Sequence, residues 1–165
     1  MSTNSSLPDS IGSIALQNKK VVYNIIFRAV SETLRRIVAD PKHLGARIGF
    51  LAVLHTWGQN LLIHPHIHCV VPGGGFSPDR QRWIPSRKRF FLPVRVLSRL
   101  FRGLFLHYLQ KAYSTGKLQF YGTICELNDP REFKSFVNRC RKPEWVVYSK
   151  PPYENRKQPE AADSS

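Results

Sequence analysis

Four histidines and a glutamine fall within fourteen residues of this chain: His55, Gln59, His64, His66 and His68. Side chains alternate along a strand, so His64, His66 and His68 project from one face. The opposite face carries Ile63, Pro65, Ile67, Cys69 and Val71, an apolar set fit for a core. Three imidazoles on a core strand cost stability without partners, and neutral imidazole is the commonest metal ligand. Alternate residues stand about 6–7 Å apart, so two ring nitrogens can tilt onto one ion. The chemistry indicated is a metal held by His66 and His68, with His64, His55 and Gln59 as further ligands. A simple hairpin centred on Gln59 and Asn60 sets His55 opposite His64, on the same face. All-histidine sets suit Zn, whereas a site completed by phosphate oxygens suits Mg or Mn. The competing reading leaves the histidines hydrogen-bonded to one another and to water on a sheet surface. The hairpin holds no carboxylate, which argues against a nuclease built on two metals and paired acids.

Charge narrows the partner. The chain has 25 Lys and Arg against 11 Asp and Glu, a formal charge of +14 and a pI near 10.2. Between Lys42 and Cys125, twelve basic residues face one acid, Asp79; between Arg80 and Arg102 there are eight and no acid. Such a field captures polyanions, and neutralising phosphates with Lys and Arg drives nucleic-acid binding. Arg80, Arg82, Arg87, Lys88, Arg89 and Arg95 are the expected phosphate contacts. Trp83, Phe90 and Phe91 are available to stack on bases, core packing being the alternative for these rings. A solvated basic face that only maintains solubility is the competing reading of the charge.

Other classes are excluded. At 165 residues, 42% hydrophobic and 12% aromatic, the chain can build one core and is too apolar for a disordered basic tail. No apolar run approaches the roughly 18–20 residues that span a bilayer, and the opening residues lack the pattern of a secretion signal. The cysteines, Cys69, Cys125 and Cys140, form no CxxC pair, which favours a reducing cytoplasm over a disulfide scaffold.

The elements that must position the histidines follow from periodicity. Residues 1–17, rich in Ser and Asn, read as disordered, as does a polar tail over 154–165. Val22, Ile25, Ile26, Ala29, Val30, Ile37 and Val38 predict a helix over 18–39, ended at Asp40-Pro41. Two strands follow, 48–54 and 61–71, pairing as an antiparallel hairpin, with Gly73-Gly74-Gly75 as a flexible turn. Trp83-Ile84 and Phe90-Phe91-Leu92 read as short strands in a basic excursion. An apolar stripe from Leu97 to Ala112 predicts a helix after Pro93, with Gly116 as its stop. Leu118–Cys125 reads as a strand, Asp129-Pro130 opens a helix, and Trp145–Tyr148 is a last strand. The order predicts an α+β domain, helices packed on an antiparallel sheet.

The stretch from Gly49 to Leu61, running into His64-Pro65-His66-Ile67-His68-Cys69-Val70-Val71 and Gly73-Gly74-Gly75, resembles the core of rolling-circle insertion-sequence transposases. These are the two-tyrosine members of the HUH endonuclease superfamily. Phe91-Leu92-Pro93-Val94 and Trp145 to Pro152 resemble the same family, and the likeness covers about residues 18–153. The resemblance implies an HUH-type sheet with a ferredoxin- or RRM-like core, incomplete at both ends. It implies a divalent ion, Mg or Mn with Zn compatible, on His66 and His68, and single-stranded DNA as partner. It further implies a tyrosine that attacks one phosphate, leaving a 5′ phosphotyrosine and a free 3′ hydroxyl. No Tyr-x-x-x-Tyr pair occurs in the sequence, so neither Tyr148 nor Tyr153 is assigned as nucleophile. The family's cysteine-rich zinc module and the first strand of its sheet are expected to be absent before Gln17. The chain then reads as a truncated form whose alternative role is a basic nucleic-acid-binding module with structural histidines.

Overall fold

The structure, a computed structural model, describes residues 2–6, 9–57, 63–86 and 93–150. Its elements are β1 (Ser2–Ser6), α1 (Asp9–Gln17), α2 (Lys19–Ala39), β2 (Leu51–Trp57), β3 (Ile63–Val70), β4 (Gly74–Phe76), β5 (Trp83–Pro85), α3 (Val94–Ser114), α4 (Pro130–Arg141) and β6 (Val147–Lys150). A four-stranded antiparallel sheet runs in the order β2-β3-β1-β6, and β4 pairs with β5 in a separate ribbon. The α+β reading therefore holds.

Each strand of the sheet buries one face. Thr3 and Ser5 of β1, Ile67 and Cys69 of β3, and Val147 of β6 turn inward. They meet Val22, Ile26, Leu34 and Val38 from α2 and Phe101, Phe105 and Leu109 from α3, the apolar stripes whose spacing predicts both helices. Across the helices, the Tyr108 hydroxyl donates to Glu32, while Arg28 lies 4.2 Å above the Tyr108 ring. That hydroxyl, with Arg36 and Arg28 nearby, holds the Glu32 carboxyl below its usual value. Trp145 closes the far side. Its ring stands 5.3 Å from Phe105 and 5.6 Å from Phe101, its indole N–H donates to the Cys140 carbonyl, and its own carbonyl accepts from Ser98.

Four expectations are corrected. Within the segment 1–17, expected to be disordered, residues 2–6 and 9–17 form β1 and α1: β1 lies inside the sheet between β3 and β6, and Ile11, Ile14 and Ala15 are fully buried. A strand does precede Gln17. The polar Ser- and Asn-rich composition misleads because β1 gains its stability from backbone pairing on both edges rather than from apolar side chains. The segment 118–125 is not a strand. Tyr121 has extended backbone, but the partners of this stretch are side-chain amides: Asn18 exchanges two bonds with Gln119, and Gln17 two with Tyr121, at 2.8–3.0 Å. An Asn or Gln amide offers the same donor and acceptor as a peptide, so this clasp stands in for a neighbouring strand. Gly122–Asn128 then forms a 3-10 turn.

The third correction concerns Gly73-Gly74-Gly75, which is not a flexible turn. Gly74 and Gly75 begin β4, paired to Pro85 and Ile84. A side chain at Gly75 would meet the Arg47 carbonyl at 2.6 Å, and one at Gly74 would meet the Trp83 indole at 2.8 Å. The glycines are there for close approach. The fourth is the hairpin register, which sets His55 opposite His66 rather than His64. The shift lies between His55 and Trp57, across from Pro65, which has no N–H to give the ladder. Asp40 ends α2, Gly116 follows α3 with φ +65°, and Asp129 caps α4 by accepting from the Arg131 amide at 2.7 Å, all as the sequence predicts.

Replacing Asn18 by Ala removes its side-chain bonds to the Ile14 carbonyl and to the Gln119 N–H and carbonyl, and is expected to lower unfolding free energy by about 1–2 kcal/mol, read from urea midpoints. Burial pushes the Cys69 thiol up to about 11, and Cys140 is also buried while Cys125 is exposed. A thiol reagent at pH 8 should therefore modify one cysteine in the native chain, Cys125, and all three after denaturation.

Candidate metal centre and nucleic-acid surface

The outer face of the sheet carries the other half of each alternation. From β2 come Leu51, Val53 and His55, all exposed; from β3 come His66 and His68, half-buried, and exposed Val70. The antiparallel register sets His66 opposite His55 and His68 opposite Val53, one step along from His55. The three rings form a triangle, with centroids 5.3 Å apart for His55–His66, 4.7 Å for His55–His68 and 5.0 Å for His66–His68.

One nitrogen from each ring lies within 4.8 Å of the other two. Two metal–nitrogen bonds of about 2.1 Å span at most about 4.2 Å, so a small inward turn of the rings is enough to share one ion. The donors are all imidazole nitrogens, and one side of the cluster opens to solvent because His55 is exposed. Histidine is compatible with Zn and with the other divalent transition ions, so the donor set fits a divalent cation.

Of the expected ligands, His66 and His68 are brought together, and His55 supplies the third ring. His64 lies in β3, but its side chain falls outside the described residues, as does Gln59 altogether. Among the expected phosphate contacts, Arg87, Lys88 and Arg89 also fall outside the described residues, as do Phe90 and Phe91. Arg80 and Arg82 stand in the turn joining β4 to β5, and Arg95 stands in the first turn of α3. Arg80 takes φ +61°, the left-handed region that a non-glycine residue enters at a cost. Trp83 is 49% exposed, which removes it from the core. Sequence reasoning passes over Arg35 and Arg47, which lie outside the 80–102 stretch yet border the same cleft as Arg80. The available signal was Gly75, whose missing side chain lets Arg47 approach β4.

Comparison with known proteins points one way. The Y2_Tnp family, described as "Putative transposase", matches residues 49–162. The chain is 62% identical over 148 residues to "Putative transposase y4qJ" of Sinorhizobium fredii (strain NBRC 101917 / NGR234), covering 90% of this chain and 37% of that protein. It is 33% identical over 72 residues to the transposase for insertion sequence element IS801 of Pseudomonas savastanoi pv. phaseolicola, covering 44% of this chain and 17% of that one. The chain thus spans well under half the length of these relatives. Among solved structures, it superposes on the conjugative relaxase TrwC complexed with a 27-mer DNA comprising the recognition hairpin and the cleavage site. The TM-score is 0.54 at 18% identity, over 84% of this chain and 54% of that one. A copper-bound complex of TrwC with oriT DNA gives a TM-score of 0.51 at 19% identity, over 66% and 41%. These likenesses establish the relaxase-like fold. Among the described residues, no helix is long and apolar enough to cross a membrane.

Titration with Mn or Zn followed by calorimetry should show one ion bound per chain. At a concentration near 100 times the dissociation constant it should stabilise the fold by about 2.7 kcal/mol. His68→Ala should abolish both effects. Uptake that persists in this variant would show the ion to be held elsewhere.

Proposed function

The chain belongs to the Y2_Tnp transposase family, and from that membership we propose that it forms the metal- and DNA-binding part of a rolling-circle transposase acting on single-stranded DNA. The observation that carries this reading is the convergence of His55, His66 and His68 on the open face of an antiparallel sheet. Held there, a divalent ion supplies positive charge to one scissile phosphate. The histidines fix its place because two belong to one strand and the third faces them across the hairpin. The helices pack on the other face of the sheet, so an extended strand of DNA can reach the histidines without displacing the core. The high positive charge draws that strand in, with Arg80, Arg82, Arg87, Lys88, Arg89 and Arg95 as its phosphate contacts.

In the complete reaction, a tyrosine hydroxyl attacks the phosphorus and the 3′ oxygen leaves, giving a 5′ phosphotyrosine and a free 3′ hydroxyl. The phosphoester bond is conserved in the protein link, so joining needs no ATP. The six tyrosines of this sequence, at positions 23, 108, 113, 121, 148 and 153, contain no pair spaced Tyr-x-x-x-Tyr. These residues accordingly hold metal and DNA without the paired nucleophile, and the complete reaction belongs to a longer protein of this family.

Purified chain mixed with end-labelled single-stranded DNA should bind more tightly when Mn is added, and His66→Ala/His68→Ala should lose that gain. No covalent adduct should appear on a denaturing gel. An adduct would refute the missing nucleophile, and affinity indifferent to Mn would leave the histidines structural.

A further inference from the structure

A second nucleic-acid site lies away from the histidines. The end of α2, the connector leading to β2 and the β4–β5 ribbon enclose a cleft of about 560 Å³, lined by Arg35, Arg47, Arg80 and Phe76, with no acid among its lining residues. The two acids next in sequence to lining residues, Asp40 and Asp79, both accept hydrogen bonds from their own turns: Asp40 from the Lys42 amide, and Asp79 from the Ser77 hydroxyl and the Gln81 amide. The latter turn forces Arg80 into its left-handed conformation, so the ribbon holds that residue at a backbone cost. Three guanidiniums around one concavity match a run of phosphates, each able to bind oxygens through a fork of donors.

The rim adds what a phosphate site alone would not need. Phe76 and Trp83 are 52% and 49% exposed, and their rings meet edge to face at 5.4 Å. The Trp83 indole rests on Gly74, where any side chain would collide with it. Two large rings kept at the surface and braced against glycine backbone are a stacking platform, and stacking requires unpaired bases. Gly49 borders the cleft and His55 lies six residues further along the chain, a separation on the order of 20 Å at about 3.3 Å per residue.

We propose that this arginine cleft with its Phe76–Trp83 rim is an anchoring site for single-stranded DNA, separate from the histidine cluster and independent of metal. The proposal rests on the DNA-binding reading above and adds a place for the strand distant from the bond to be cut. The partner is a single strand because the rings offer faces to bases, which a duplex hides within its stack.

The test measures anisotropy of a labelled 20-nucleotide oligo(dT) in EDTA, against a salt series. Wild type should bind. Arg35→Gln/Arg47→Gln/Arg80→Gln should bind at least tenfold more weakly. Its slope of log affinity against log salt should fall by about 2, since each phosphate contact on a single strand contributes about 0.7. Phe76→Ser should weaken binding about fivefold or more with the slope kept, and Trp83→Phe should remove the fluorescence quenching that oligo(dT) causes. Circular dichroism melts identify any variant that has lost its fold; Phe76→Ser and Trp83→Phe, altering one exposed ring each, then decide the matter. If wild type binds while the arginine and Phe76 variants bind equally well, the cleft is overturned and the DNA-binding reading stands. Equal or tighter binding of a duplex of the same length overturns the single-strand assignment. A wild type that binds no DNA overturns the DNA-binding reading together with the cleft.

Discussion

The register between β2 and β3 is the constraint on which the rest depends. It sets His55 across from His66, and because side chains alternate, it also decides that Ile67 and Cys69 enter the core. A slip of one residue would turn the histidines inward among aliphatic side chains and send the core residues to water. The apolar packing beneath the sheet therefore fixes the metal site above it. Conversely, the cluster could not be moved by one position without dismantling the packing of α2 and α3. Chemistry and stability are two faces of one alternation.

That coupling explains what could be read from the sequence. His66 and His68 and their apolar back face are visible because alternation on one strand is a local property. Both long helices are visible for the same reason, as is the Asp129 cap. The pairing of His55 is not local. It depends on how many residues the connection uses and on where Pro65 interrupts the ladder, and a simple two-residue hairpin gives the wrong partner. The N-terminal strand fails differently. Ser2–Ser6 carries no apolar alternation, and nothing local announces that two other strands will flank it.

The misread segment at 118–125 and the glycine run share a physical lesson. In both, a backbone stretch is satisfied by an unexpected partner. The carboxamides of Gln17 and Asn18 receive residues 119–121, and the ribbon around Gly74 and Gly75 receives an indole and a peptide carbonyl at distances no side chain would permit. Propensity describes what a segment prefers alone; these segments are shaped by what approaches them. Arg35 and Arg47 become neighbours of Arg80 by the same route, which is why a count of charge along the chain finds the dense stretch and misses the cleft.

The position of β1 also bears on how the chain reaches its native state. Its partners are β3, some sixty-five residues on, and β6, which begins at Val147. Contacts of such long sequence separation raise contact order and slow the search for the folded form. During synthesis the hairpin of β2 and β3 can close early, but β1, once paired with β3, must wait with its other flank bare until β6 emerges from the ribosome. In that interval the nascent chain offers an unpaired edge to other chains, a hazard that the energy of the finished fold does nothing to remove.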